Sequence, residues 1–163
     1  GTEGSNYFDD RQEETARAYV EAGADAVIGG HPHRLQGVQF LDGAPVVYSL
    51  GNVWYSTGAL YTSVAQLRIS GTGELSLYML PCMQRDLTTR MLEDADGKKE
   101  FYHYLADVSS GVGIDEDGRV HPFRNVSGPG ESPYAYTSGR RYGMQLDDLD
   151  LDGKTIDTDG NRK

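Results

Sequence analysis

The sequence predicts a mixed α/β lobe, with α+β as the neighbouring alternative. Three observations carry this expectation. A one-sided amphipathic stretch over residues 10–22 runs straight into a short apolar segment without alternation, residues 24–30, which is half of a βαβ unit. Beyond residue 36 come paired β-rich runs around Asp42-Gly43, Ser70-Gly71-Thr72-Gly73 and Asp117-Gly118, each with hairpin punctuation. A second stretch at helical spacing, with Phe101, Tyr104, Leu105 and Val108, separates the second and third of these pairs.

Each element has a local reason. Asp10 and Glu13 have capping-box spacing, Ala16, Tyr19 and Val20 form the apolar stripe, and Gly23 closes the first helix. Glu13 and Arg17 add a favourable pair four residues apart. The run from Ala24 to Gly30 reads as a strand covered on both faces, and its two terminal glycines let the backbone turn or something approach closely. Gly37–Leu41 and Pro45–Leu50 flank the first turn, and Ser63–Ile69 and Glu74–Leu80 flank the second. Asp96–Val108 is the second helix, ending at Gly111, and Val112–Asp115 with Arg119–Phe123 forms a short third hairpin. The lobe thus occupies residues 1–124. Residues 125–163, rich in Gly, Ser, Pro and Tyr and then in Asp, form an extension of loops and edge strands.

The 163 residues suit one domain or one lobe of a larger one. With a formal charge of −10 the surface repels phosphate backbones and acidic lipids, so nucleic acid is not an expected partner. Cys82 is the single cysteine, which excludes an intrachain disulfide and any paired-cysteine metal site, and its default reading is a buried, inert thiol. The opening Gly1-Thr2-Glu3-Gly4 has neither Met nor a leader, and reads as the start of a piece of a longer protein.

The strongest chemical signal is Gly30-His31-Pro32-His33, placed just past a strand's carboxyl end, where α/β sheets hold ligands. Residues two apart in an extended segment share a side, and Pro32 biases His31 towards extension, so both imidazoles can face one volume. Neutral imidazoles suit Zn, Mn, Fe or Ni. The competing reading is a polar loop with incidental histidines. Further donors are needed in either a mono- or a dinuclear site. Glu3, upstream of the first helix, and Asn52, after Tyr48-Ser49-Leu50-Gly51, are the candidates, and no Asp-x-His precedes the pair.

The stretch Gly23-Ala24-Asp25-Ala26-Val27-Ile28-Gly29-Gly30-His31-Pro32-His33, then Leu35-Gln36-Gly37-Val38 and Gly43-Ala44-Pro45-Val46-Val47-Tyr48-Ser49-Leu50-Gly51-Asn52, closely resembles the CapA family of bacterial capsule (poly-γ-glutamate) synthesis proteins. Gly1-Thr2-Glu3 resembles the tail of that family's His-Trp-Gly-x-Glu motif, and Gln12 and Ala16 fall where its following helix has Gln and Ala. The likeness covers about Gly1 to Trp54 and fades thereafter.

It implies the C-terminal portion of a calcineurin-like metallophosphoesterase domain, an αββα sandwich whose mixed sheets carry hairpins. His31 and His33 would ligate a divalent ion (Mn, Zn or Fe), Glu3 and Asn52 would serve the catalytic site by orienting ligands or substrate, and Gln12 and Ser49 would contact substrate or support loops. The superfamily's Asp-x-His, Gly-Asp and Gly-Asn-His motifs are not in this chain. The resemblance therefore implies a parent that is a metal-dependent hydrolase or transferase-like protein, extracytoplasmic and either membrane-anchored or at the cell surface, acting on a surface polymer or its precursors. It also implies that this piece is inactive without the missing N-terminal half, and self-associating through surfaces that half would cover.

The alternative is a non-catalytic module that binds calcium or a cell-surface polymer. Asp148, Asp150 and Asp152 stand at positions one, three and five of a loop with Gly153 at six and Asp159 at twelve, the ligand spacing of a calcium loop, against which stands a plain acidic tail. Tyr134, Tyr136 and Tyr142 could stack on sugar or cover the core. His103 and His121 read as structural, and Ser49 lacks a nucleophile elbow.

Overall fold

The computed structural model describes residues 1–55, 57–123 and 136–137. The fold is α/β. Helix α1 (Asp10–Glu21) leads into strand β1 (Val27–Ile28), followed by the hairpin of β2 (Val38–Leu41) and β3 (Ala44–Val47). Strands β4 (Leu60–Ile69), β5 (Leu75–Arg85) and β6 (Thr88–Met91) precede helix α2 (Ala95–Val108), and β7 (Val112–Ile114), β8 (Arg119–Pro122) and β9 (Tyr136–Thr137) complete the order.

The strands form two sheets. In the first the order is β1-β3-β2, with β1 parallel to β3 and β2 antiparallel to it. In the second, β4-β5-β8-β7-β9 run antiparallel, and β6 branches from β5. Phe101, Leu105, Ala106 and Val108 of α2 pack with Leu35, Val38 and Val47 of the first sheet region and with Leu77, Met79, Val112, Ile114 and Val120 of the second. One core therefore joins both sheets. A smaller cluster of Ala16, Leu41, Val46 and Tyr48 lies under α1, where Phe8 stacks on Tyr48 at 3.9 Å between centroids.

The hairpin reading holds at Asp42-Gly43, where both residues have positive φ (49° and 90°), the pair of values a type I′ turn demands. Three sequence readings need correction, and one hairpin went unread. The first helix is capped by Asp9, whose carboxylate accepts from the Gln12 N–H while the Gln12 side chain accepts from the Asp9 N–H, so the capping box sits one residue earlier than Asp10 and Glu13 suggest. Strand β1 has two residues rather than seven, and it is not covered on both faces. Among the described residues it pairs with β3 alone, and Ile28 is 43% exposed. The β5–β6 hairpin turns at Asp86-Leu87, both at positive φ, a conformation that a leucine does not advertise. The third correction concerns the histidine loop.

Candidate metal centre at the histidine loop

Glycines bring the loop to its place. Gly29 lies so close to β3 that a Cβ there would stand 2.3 Å from the Tyr48 carbonyl oxygen, and its N–H donates to the Val47 carbonyl at 2.7 Å. The chain then leaves the sheet through Gly30 into His31-Pro32-His33. This segment is not extended. His31 and His33 have φ of 94° and 60°, with Pro32 buried between them, so the two-residue alternation of a strand does not place the rings. They nonetheless lie near one another, with centroids 6.1 Å apart and planes inclined by 44°.

Asn52 completes the pair's setting. Gly51, at φ 75°, packs its α-carbon against the Leu35 N–H and the Tyr61 carbonyl, with a Cβ at 2.9 and 3.1 Å from them, so only glycine carries the chain past. The turn presents buried Asn52 to the histidine loop, and the His33 Nδ1–H donates to Asn52 Oδ1 at 2.8 Å. A carbonyl oxygen can only accept, so this bond holds His33 as the Nδ1–H tautomer and leaves the Nε2 lone pair for a ligand. Tyr55 stacks on the His33 ring, with centroids 4.3 Å apart and planes inclined by 16°.

The donor set fits a divalent ion in part. With metal–nitrogen bonds of about 2.1 Å and a ring nitrogen about 1.1 Å from its centroid, two imidazoles on one ion at right-angle or tetrahedral coordination have centroids roughly 4.5–5.2 Å apart, so the observed 6.1 Å asks the rings to close by about 1 Å. Among the described residues no group of three or more His, Cys, Asp or Glu converges as a metal site. Glu3 is exposed and does not join the pair in such a group, although the Gly4 N–H donating to the Pro32 carbonyl at 2.8 Å ties its turn to the histidine loop.

Gln12 and Ser49 support rather than line the loop. Gln12 Nε2 donates to Gln36 Oε1 at 2.8 Å, and Ser49 is buried, its Oγ accepting from the Gly51 N–H at 3.2 Å. Gln36, to which the sequence reading gave no role of its own, is the hub. Fully buried, it donates to the Ser5 and Tyr7 carbonyls at 3.1 and 2.8 Å and so binds residues 5–7 to α1 and to the histidine loop. Its only advance signal is a large amide inside an otherwise buried Leu35–Val38 run.

A groove of about 540 Å³ runs between α1 and the edge of β1, lined by Gln12, Tyr19, Ile28 and Gly29 among others. None of His31, His33 and Asn52 lines it, so it is not the place for chemistry at the pair. The other histidines take structural partners: His121 Nε2 meets Asp115 Oδ2 at 2.7 Å, and His103 packs edge-on to Tyr136. Burial pushes the Cys82 thiol up, away from reactivity at neutral pH. Asp148, Asp150, Asp152 and Asp159, with Tyr134 and Tyr142, lie outside the described residues.

The family model described as "Bacterial capsule synthesis protein PGA_cap" matches residues 1–56, the stretch that holds Glu3, the histidine pair and Asn52. Over these residues the chain is a partial match to the CapA family of capsule synthesis proteins. It is 37% identical over 82 residues to the PGA biosynthesis protein CapA of Bacillus subtilis, covering 47% of this chain and 22% of that protein. To the capsule biosynthesis protein CapA of Bacillus anthracis it is 32% identical over 116 residues, 69% of this chain and 28% of the relative. An uncharacterized protein of Sinorhizobium fredii, y4sH, is 46% identical over 46 residues, 28% of this chain and 10% of the relative. The matched segments thus span about a quarter of the length of the CapA relatives. No helix among the described residues is long and apolar enough to cross a membrane.

Proposed function

We propose that this chain supplies the C-terminal part of a metallophosphoesterase-type domain in a cell-envelope protein of capsule-polymer synthesis, and that His31 and His33 are its contribution to a divalent-metal site. The observation that carries the reading is the His33 Nδ1–Asn52 Oδ1 bond beside a second imidazole 6.1 Å away, since a ligating histidine characteristically donates its other ring N–H to a fixed acceptor. When bound, an ion of the Mn, Zn or Fe kind supplies Lewis acidity and lowers the pKa of a coordinated water.

The chain's own residues have narrower tasks. His33 offers Nε2, Asn52 fixes its tautomer and ring plane, and His31 offers a second nitrogen. Gln36 and Gln12 keep the Glu3 turn against the loop, where the Glu3 carboxylate can orient a ligand or substrate once further donors join. Two imidazoles are too few for catalysis, so the chain alone is inactive, and the missing N-terminal half is the partner that completes the site. A surface polymer or its precursor is the substrate of the whole protein.

Calorimetric titration with Zn or Mn tests the reading. The wild-type chain takes up one ion weakly, Asn52→Ala lowers the affinity about 10- to 100-fold, and His31→Ala with His33→Ala abolishes binding. Equal uptake by all three proteins refutes it.

A further inference from the structure

Strand β4 is an open edge of the second sheet. It pairs with β5 along its whole length, from Leu60↔Gln84 to Ile69↔Leu75, and with no other strand among the described residues. In such a ladder every second residue gives both its N–H and its C=O to the partner strand, and the residues between aim theirs away. At the hairpin end the Ser70 N–H donates to the Glu74 carbonyl at 2.9 Å, so Arg68, Gln66 and Val64 bond to β5 while Ala65, Leu67 and Ile69 face outward. Two neighbours confirm the alternation. Ser63, of the outward set, donates its N–H to the Leu50 carbonyl at 3.2 Å, and on the far side of β5 the Met79 N–H donates to the Gly118 carbonyl at 2.9 Å. Ser63 is therefore occupied, and the free edge is residues 65–69.

This edge lacks the usual protection of a lysine, a proline or a bulge. It reads Ala65-Gln66-Leu67-Arg68-Ile69 in unbroken register. Ala65 and Leu67 lie opposite Met79 and Leu77, which belong to the core, so Ala65, Leu67 and Ile69 point to the core side of the sheet. The cover ends at Ala65, and Leu67 and Ile69 stand 40% and 71% exposed.

We propose that a second copy of this chain adds to this edge, antiparallel, about a two-fold axis through Leu67. Each outward N–H of Ala65, Leu67 and Ile69 then meets a carbonyl of the other copy. The side chains match as well: Leu67 faces its own counterpart, Ile69 faces Ala65 on the apolar side, and Arg68 faces Gln66 on the other. Neighbouring registers are worse. An axis at Arg68 sets two guanidiniums opposite each other, and an axis at Gln66 puts Ile69 against Ser63, whose N–H is already used. The contact is far smaller than the roughly 20–30 residues a side of a standard interface, so the dimer is weak, with a dissociation constant of about 10–100 µM. A two-fold contact uses up the edge and stops at two copies.

Sedimentation equilibrium tests this from about 5 to about 500 µM chain, in about 0.3 M salt to screen the charge of −10 that each copy carries. The wild-type chain passes from monomer to dimer and no further. Leu67→Lys puts like charges opposite each other and raises the dissociation constant at least about tenfold, as does Leu67→Glu. Mixing the Leu67→Lys chain with the Leu67→Glu chain restores the dimer, because the axis sets the two position-67 side chains face to face. Circular dichroism checks that the variants fold, and Ile69→Lys, at a more exposed position, weakens the dimer should Leu67→Lys disturb the hairpin. A monomer throughout, growth beyond the dimer, a dimer undiminished in Leu67→Lys and Ile69→Lys, or no restoration on mixing overturns the proposal. The metal reading is untouched by any of these results.

Discussion

Replacing Gln36 with Leu removes the hub that ties the N-terminal segment to the histidine loop, at nearly constant volume. The amide has no exposure and makes three side-chain bonds, two to the Ser5 and Tyr7 carbonyls and one from Gln12 Nε2. Each such bond is worth about 1 kcal/mol net, and a buried group left without a partner costs about 1–3 kcal/mol. Ser5, Tyr7 and Gln12 are half-buried, so water reaches part of what is lost. The expected destabilisation is therefore about 2–4 kcal/mol, below the simple sum of stranded groups. With a urea slope of about 2 kcal/mol/M the unfolding midpoint falls by about 1–2 M at unchanged slope. Gln12→Ala breaks one of the three bonds together with the capping box, and costs about 1–2 kcal/mol. Because the two residues share a bond, the double variant loses less than the sum of the singles. A Gln36→Leu loss below about 0.5 kcal/mol, or strict additivity with Gln12→Ala, refutes the claim that this amide organises the loop.

Two further outcomes follow from the core. Burial pushes Tyr102 up to about 12 from an ordinary 10, and raises Tyr61 and Tyr104 as well. The folded chain then keeps protons that the unfolded chain releases near 10, so stability is whole below that pH and declines as pH rises through about 12. Melting temperature against pH shows this decline, Tyr102→Phe makes it shallower, and a flat profile contradicts it. Gly37→Ala places a Cβ 2.0 Å from the Val108 carbonyl oxygen and 2.6 Å from the Ser109 α-carbon, backbone that cannot swing aside. It costs more than about 3 kcal/mol or prevents folding, whereas Gly30→Ala, with open space around it, changes the urea midpoint little.

What was legible in the sequence follows from how local each cause is. The Asp42-Gly43 turn and the α2 stripe are decided within a few residues, and both appear where the pattern puts them. The β5–β6 turn was not legible, because Asp86-Leu87 adopts positive φ at the demand of strand pairing rather than of residue type. The seven-residue apolar run at residues 24–30 promised a covered strand, but burial depends on neighbouring elements, and the described residues place only β3 beside β1. At the site, His33 meets Asn52 and lies 6.1 Å from His31, by a loop with two left-handed residues instead of an extended one. Gln36 and Tyr55 escaped notice because their partners lie up to 31 residues away in the chain.

The claim that the histidine loop grips a cation is tested most directly by imidazole resonances under substoichiometric Mn(II), since the chain has four histidines and two of them serve as internal controls. The account predicts that the ring signals of His31 and His33 broaden first and together, while those of exposed His103 and of His121, paired with Asp115, stay sharp. Uniform broadening of all four, or earlier loss of the His121 signal, would contradict it.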